Sequence, residues 1–190
     1  MAGMSIPSGP RALPRSAGAR QGTTLVETTV VMAVLVILAA VGLPSFLGLK
    51  KRQQAEATMH LLASHLASAR ASAISYNVPV IVCPSAGDGR CLNGTDWSRV
   101  WLSFRDPDGN RQPDEESDIY RNDTAPQDPR MRILSTTGRP YVRYQPSGMN
   151  YGSNLTLRIC YDGEVAGSVI VNNSGRIRSS RSSSAGPCPD

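Results

Sequence analysis

The feature that most constrains this chain is an apolar run that begins abruptly after a basic stretch. Between Thr23 and Leu43 there are 21 residues and a single charge, Glu27. A helix needs about 20 predominantly apolar residues to cross a bilayer, so the run is long enough to span one. An acid inside such a segment is costly and marks a functional position that needs a partner. Directly before the run stand Arg20, Gln21 and Gly22, and the preceding segment carries Arg11, Arg15 and Arg20 without an acid. A secretory signal has its small-residue cleavage site after the apolar core. Here the small residue, Gly22, precedes the core, so cleavage after it leaves the helix on the mature protein.

Charge alone does not orient the segment, because Lys50, Lys51 and Arg52 at its far end balance the arginines before it. The cysteines do. Cys83, Cys91, Cys160 and Cys188 are even in number in a chain with a membrane segment, which favours disulfides and an oxidising compartment. No two of them have the close spacing of a zinc knuckle, so a metal site is not expected. The part of the chain after the helix therefore faces outward.

From Pro44 to Ile74 the helical pattern continues with a different purpose. Pro44 removes a backbone donor and is expected to kink or interrupt the helix. Beyond it, Ala55, Met59, Leu62, Leu66, Ala69 and Ala73 recur at four- and three-residue steps. That spacing gives one narrow apolar stripe suited to packing on a sheet. His60 and His65 fall on different faces and are expected at the solvated surface or a sheet edge. After Asn77 the texture changes to short apolar runs between turn dipeptides such as Asp88-Gly89, Asp162-Gly163 and Ser174-Gly175. Strands are expected over 78–83, 100–104, 131–134, 141–144, 155–161 and 168–172, with a last one near 176–178. The fold class is α+β: a long N-terminal helix, membrane-spanning in its first half, packed on antiparallel sheet.

The junction from Gly22 to Phe46 resembles the class III signal of type IV pilins and type II secretion pseudopilins. That resemblance implies a leader over residues 1–22, cut by a prepilin peptidase after Gly22, and N-methylation of the new first residue. It also implies that the Glu27 carboxylate meets a neighbouring subunit's terminal amine. The first mature residue is usually phenylalanine in that family and is Thr23 here. Val82-Cys83-Pro84-Ser85, Asp88-Gly89, Cys91, Trp97, Trp101 and the run Phe104 to Asn110 narrow the resemblance to the GspH/FimT group of minor pilins. It implies a helix over 23–49 and an ectodomain over 50–190 carrying two β-sheets, with a C-terminal tail from about residue 173. Four cysteines allow three connectivities. The pairing Cys83–Cys91 with Cys160–Cys188 matches the resemblance and has the lower closure entropy.

Asp106, Asp108 and Asn110 have the first three spacings of a calcium loop, but an EF-hand needs glycine where Arg111 stands and glutamate where Ser117 stands. A solvated Asp-Gly turn is the expected reading, with no metal or cofactor. Charge is segregated: Asp106–Asp128 holds eight acids and two arginines, Arg130–Arg181 eight arginines and two acids. Clustering of this kind produces a local field even where net charge is modest. No catalytic motif appears, and neither an enzyme nor a small-molecule substrate is expected.

Two functional classes follow from the resemblance. FimT-type members engage double-stranded DNA through a Gly-Arg-x-Arg motif during natural transformation, and Gly175-Arg176-Ile177-Arg178 matches it at each fixed position. An extended backbone there would put Arg176 and Arg178 on one face and Ile177 on the other, with Gly175 allowing a tight turn. Arg181, Arg158 or Arg143 could extend the contact. GspH-type members instead serve the tip of a type II secretion pseudopilus. Both classes imply the inner membrane, the prepilin peptidase and other minor and major pilins as partners. Coexpression with a prepilin peptidase should remove residues 1–22, and Gly22→Leu should block the shift. Intact mass spectrometry reads both, and an unchanged N-terminus in the parent would overturn the processing site.

Overall fold

The computed structural model describes residues 22–152, 154–182 and 186–189; within the helix, the side chains of residues 41, 43–45 and 47 lie outside this set. The leader expected over 1–22 therefore lies outside the described residues, apart from Gly22. The contacts divide the chain into two units, Met1–Pro44 and Ser45–Asp190. One helix, α1 (Leu25–Ser75), contributes to both. It runs through Pro44 without a break, so of the expected kink or interruption the interruption does not occur. A proline removes one intrahelical hydrogen bond, and the intact turns on either side can carry the helix past it.

In the first unit, the Glu27 amide donates to Thr24 Oγ1 at 3.2 Å. Thr24 thus occupies the capping position with Glu27 three residues on, in the first turn. A carboxylate there also meets the positive end of the helix dipole. The following side chains, from Val30 to Leu38, are largely exposed on every side of the helix. Among the described residues no helix is long and apolar enough to cross a membrane. The span expected from Thr23 to Leu43 includes Val41 and Leu43, whose side chains are outside the described set.

In the second unit the expected stripe is the seam of the core. Ala55, Met59, Leu62, Leu66, Ala69 and Ala73 are all buried. The helix stops where Asn77 takes a left-handed φ of 52° and the Val78 amide returns to the Ala73 carbonyl at 3.3 Å. That six-to-one closure satisfies an end carbonyl. It also explains why the first strand starts later than expected.

Among the described residues eight strands follow: β1 (Val80–Ser85), β2 (Val100–Arg105), β3 (Ile119–Thr124), β4 (Met131–Ser135), β5 (Val142–Tyr144), β6 (Leu155–Tyr161), β7 (Glu164–Val171) and β8 (Ile177–Arg181). They form two four-stranded sheets, β3-β2-β1-β5 and β4-β6-β7-β8, each strand antiparallel to its neighbours. Both sheets bury one face against the helix stripe, with Val82, Trp101 and Tyr144 from the first and Ile133, Leu157 and Val169 from the second. The first sheet also buries its other face, where Ile81, Cys83, Leu102 and Phe104 pack with Cys91, Ile119 and Tyr141. Cys83 is bonded to Cys91 and Cys160 to Cys188.

Strand β3 was hidden by its polar sequence. It is a sheet edge, where charged residues are tolerated because one row of backbone groups faces solvent. Strand β7 is longer than expected because Asp162 and Gly163, both at positive φ, make a two-residue turn that pairs Tyr161 directly with Glu164.

His60 is exposed as expected, whereas His65 corrects the expectation, being fully buried. Its ring meets Trp101 edge-on at 6.0 Å, and Nδ1 lies 2.9 Å from Asp123 Oδ2 on β3. Burial lowers its pKa below 6.5 and outweighs the opposing hydrogen bond to Asp123. Unfolded His65 takes up its proton near pH 6.5 and the folded form only at lower pH. Between those values the unfolded chain binds more protons, so this contribution to stability is present above about pH 6.5 and lost as pH falls through the lowered folded value. The thermal midpoint should therefore drop between about pH 7.5 and about pH 5, and less steeply in His65→Asn. An equal drop in both chains would exclude His65 as the cause.

Candidate functional site

The Gly-Arg-x-Arg segment lies at the turn of the β7–β8 hairpin. Asn172 builds the turn. Its carbonyl accepts from the Gly175 amide at 2.9 Å and its amide donates to the Arg176 carbonyl at 3.1 Å. Its side-chain oxygen accepts from the Ser174 hydroxyl at 2.8 Å and the Arg176 amide at 2.9 Å. An Asn side chain that mimics a backbone acceptor in this way fixes a turn locally. Gly175 has φ of +75° and is itself buried. A Cβ added there would overlap the Gly148 carbonyl and crowd Arg70 Nε. The close approach expected of Gly175 is thus made to the chain's own backbone.

The hairpin is held from behind. Arg70 of α1 donates through Nε to the Gly148 carbonyl at 2.9 Å and through Nη2 to the Ser174 carbonyl at 3.2 Å. The Asn150 amide donates to the Asn173 carbonyl at 3.0 Å. One arginine therefore joins the helix, the β5–β6 connection and the hairpin turn through two carbonyls. The sequence carried no signal for it, since Arg70 flanks the apolar stripe like any solvated residue. Asn172 was legible in principle, because Asn-Asn-Ser-Gly is a turn composition.

Beyond the turn, Arg176 and Arg178 are exposed, while Ile177 between them is half-buried against the core. Neither arginine makes an ion pair among the described residues. Arg181 goes elsewhere. It is opposite Gly167, on the helix-facing parity of the strand, and its guanidinium pairs with Glu56 of α1. Arg143 sits in the other sheet, 3.6 Å from Asp106. Arg158 lies in β6 of the hairpin's own sheet.

The acidic segment is bound up in its own turns. Asp106 is buried, with Oδ1 accepting from the Arg111 amide at 3.1 Å. Burial raises its pKa, against the Arg111 amide and the Arg143 charge. Asp118 accepts from Arg105 and from the amides of Asp114 and Glu115, and the Arg105 hydrogen bond holds it below the usual carboxylate range. Asn110 donates to Asp114 at 3.0 Å. Among the described residues no three His, Cys, Asp or Glu side chains stand together as a metal site.

The model of the family described as Type II transport protein GspH matches residues 58–175. Among solved structures, the type IV minor pilin FimU of Pseudomonas aeruginosa is similar at 15% identity, covering 73% of this chain and 96% of its own, with a TM-score of 0.59. A second crystal form of FimU gives 16% identity, 69% and 96% coverage and a TM-score of 0.53. The minor pseudopilin EpsH of the Vibrio cholerae type 2 secretion system aligns at a TM-score of 0.47 and 16% identity. No curated protein matches the chain in sequence.

Because the left-handed φ and the Gly148 carbonyl both reject a side chain, Gly175→Ala should destabilise the folded chain by more than about 1 kcal/mol. The denaturant midpoint measures this. A midpoint equal to the parent's would mean that the turn relaxes freely.

Proposed function

Since the chain belongs to the GspH family of minor pilins and pseudopilins, we propose that it is a minor type IV pilin that captures duplex DNA for uptake in natural transformation. The observation that carries this reading is the pair Arg176 and Arg178, exposed and without an ion pair among the described residues, with Ile177 turned inward between them. Guanidinium groups on a braced hairpin suit phosphate oxygens, which they bind by charge-assisted and often bidentate hydrogen bonds. Such contacts carry no base information, so binding is indifferent to sequence. In this reading a prepilin peptidase cuts between Gly22 and Thr23, and the apolar run Thr23–Leu43 anchors the chain in the inner membrane before assembly. The ectodomain faces the periplasm, and Glu27 meets a neighbouring subunit's terminal amine. The chain acts without a cofactor and is not an enzyme.

A second reading is a GspH-like pseudopilin at the tip of a type II secretion machine. One observation favours it: the family match ends at Gly175, before the arginines, so the match itself does not draw on them. Two phosphate contacts predict a Kd in the non-specific range of roughly 10⁻⁴ to 10⁻⁶ M, with a log–log salt slope of about −1.8. Titration of the full chain in detergent with duplex DNA at two salt concentrations measures both quantities. Arg176→Gln with Arg178→Gln should abolish most of the binding with the fold intact. A parent chain that ignores DNA at low salt would favour the secretion reading.

A further inference from the structure

The outer face of the β4-β6-β7-β8 sheet carries the C-terminal residues at one end, where Cys188 bonds to Cys160 and the Val165 amide donates to the Gly186 carbonyl at 3.0 Å. The sheet's inward side chains, among them Ile133, Leu157, Ile159, Val169 and Val171, belong to the core. Successive residues of a strand point to opposite faces. The outward set is therefore Arg132 and Leu134 on β4, Thr156, Arg158 and Cys160 on β6, Ser168, Ile170 and, past the bulge, Val165 on β7, and Arg178 and Ser180 on β8. It contains three arginines and no acid.

The register lines these arginines up. Arg132 is opposite Cys160, Arg158 is opposite Ser168, and Arg178 is opposite Ile170, which is opposite Thr156. Counted along β6, Arg132, Arg158 and Arg178 thus step by two residues each time while moving across the sheet from β4 to β8. With strands about 4.8 Å apart and residues about 3.4 Å apart, the Cα atoms are spaced by about 8 Å and then about 12 Å. The diagonal is about 20 Å long, roughly six base-pair rises of duplex DNA at about 3.4 Å each.

Elsewhere in the ectodomain five arginines, Arg105, Arg121, Arg130, Arg143 and Arg181, each face a carboxylate, whereas Arg52, Arg90, Arg99 and Arg111 are scattered singly and make no ion pair among the described residues. Arg132, Arg158 and Arg178 make no ion pair among the described residues. Arg132 and Arg178 are exposed and Arg158 is half-buried. A row of like charges left unpaired on an acid-free face repels itself, and a polyanion relieves that repulsion.

We infer that the phosphate-binding surface extends beyond the hairpin as a diagonal track, Arg132–Arg158–Arg178 continued by Arg176, along which the backbone of duplex DNA lies on the outer face of this sheet. The inference rests on the DNA-binding reading and deepens it. It also makes a separable numerical claim. Two arginines at the hairpin give a salt slope of about −1.8, whereas four along the track give about −3.6.

The test uses the full chain in detergent and a duplex of about 30 base pairs in two unrelated sequences, long enough to cover the track. Arg132→Gln with Arg158→Gln should weaken binding at low salt by at least about tenfold and flatten the slope by about 1.8, for both sequences alike. Arg132→Lys with Arg158→Lys should restore most of the slope, because counterion release depends on charge. Both variants should keep the parent's thermal midpoint, since the residues lie on the outward face. If the Gln pair binds like the parent while Arg176→Gln with Arg178→Gln does not, the track is wrong and the hairpin site survives. If the parent fails to bind DNA, or binds phosphatidylserine vesicles in its place, both readings fall.

Discussion

The ectodomain depends on one contact, the narrow stripe of α1 laid across both sheets. The sheets have separate strand orders and, among the described residues, share no ladder. The Asp96–Leu134 bridge and the bond from the Trp97 amide to the Ile133 carbonyl join the first sheet's connections to the edge of the second. The helix supplies the common surface. Ala55, Ala69 and Ala73 are small enough to bring the backbone close, and Leu62 and Leu66 fill the space between the two layers. Each buried leucine contributes about 1.5–3 kcal/mol of transfer free energy, and cavity formation adds to the loss if it is truncated. The arginine fork at the hairpin needs the same seam, because Arg70 can reach two carbonyls only if the turn of helix beneath it is fixed.

Much of this was legible because the periodicities were strong. Strand β6 lies where its alternation and the Asp162-Gly163 turn put it, and the helix stripe was readable residue by residue. The two clearest misses are really one. His65 belongs to the same interior surface as Leu62 and Ala69, but a histidine there reads as polar, so the stripe was drawn too narrow. Its partner, Asp123, stands on β3, the strand whose Arg, Asn and Asp residues disguised it. Neither half of a pair separated by this much sequence could be recognised without the other. At the candidate site, the alternation of Arg176, Ile177 and Arg178 was readable, and the same alternation would have sent Arg181 to the opposite face. The close approach of Gly148 to Gly175 is a meeting of two distant turns, for which a single sequence carries no local sign.

Counting charges gave the contrast between the acidic and basic segments but not how much of each is already neutralised. Asp106 and Asp118 are consumed by backbone amides and arginines. Several arginines counted on the basic side are likewise held, as Arg130 is by Asp128 and Arg181 by Glu56. What remains for a partner is set by which groups stay unpaired, and four of those arginines, Arg132, Arg158, Arg176 and Arg178, share one sheet and its terminal hairpin.

Gly175 changes what a short motif can diagnose. Its glycine is required by a neighbouring carbonyl and a left-handed backbone, whether or not anything binds outside. Any relative that keeps this turn and this loop contact will keep the glycine, including one that never meets a nucleic acid. When such chains are sorted by sequence, the glycine reports the architecture of the hairpin, and only the positions that flank Ile177 carry information about a ligand.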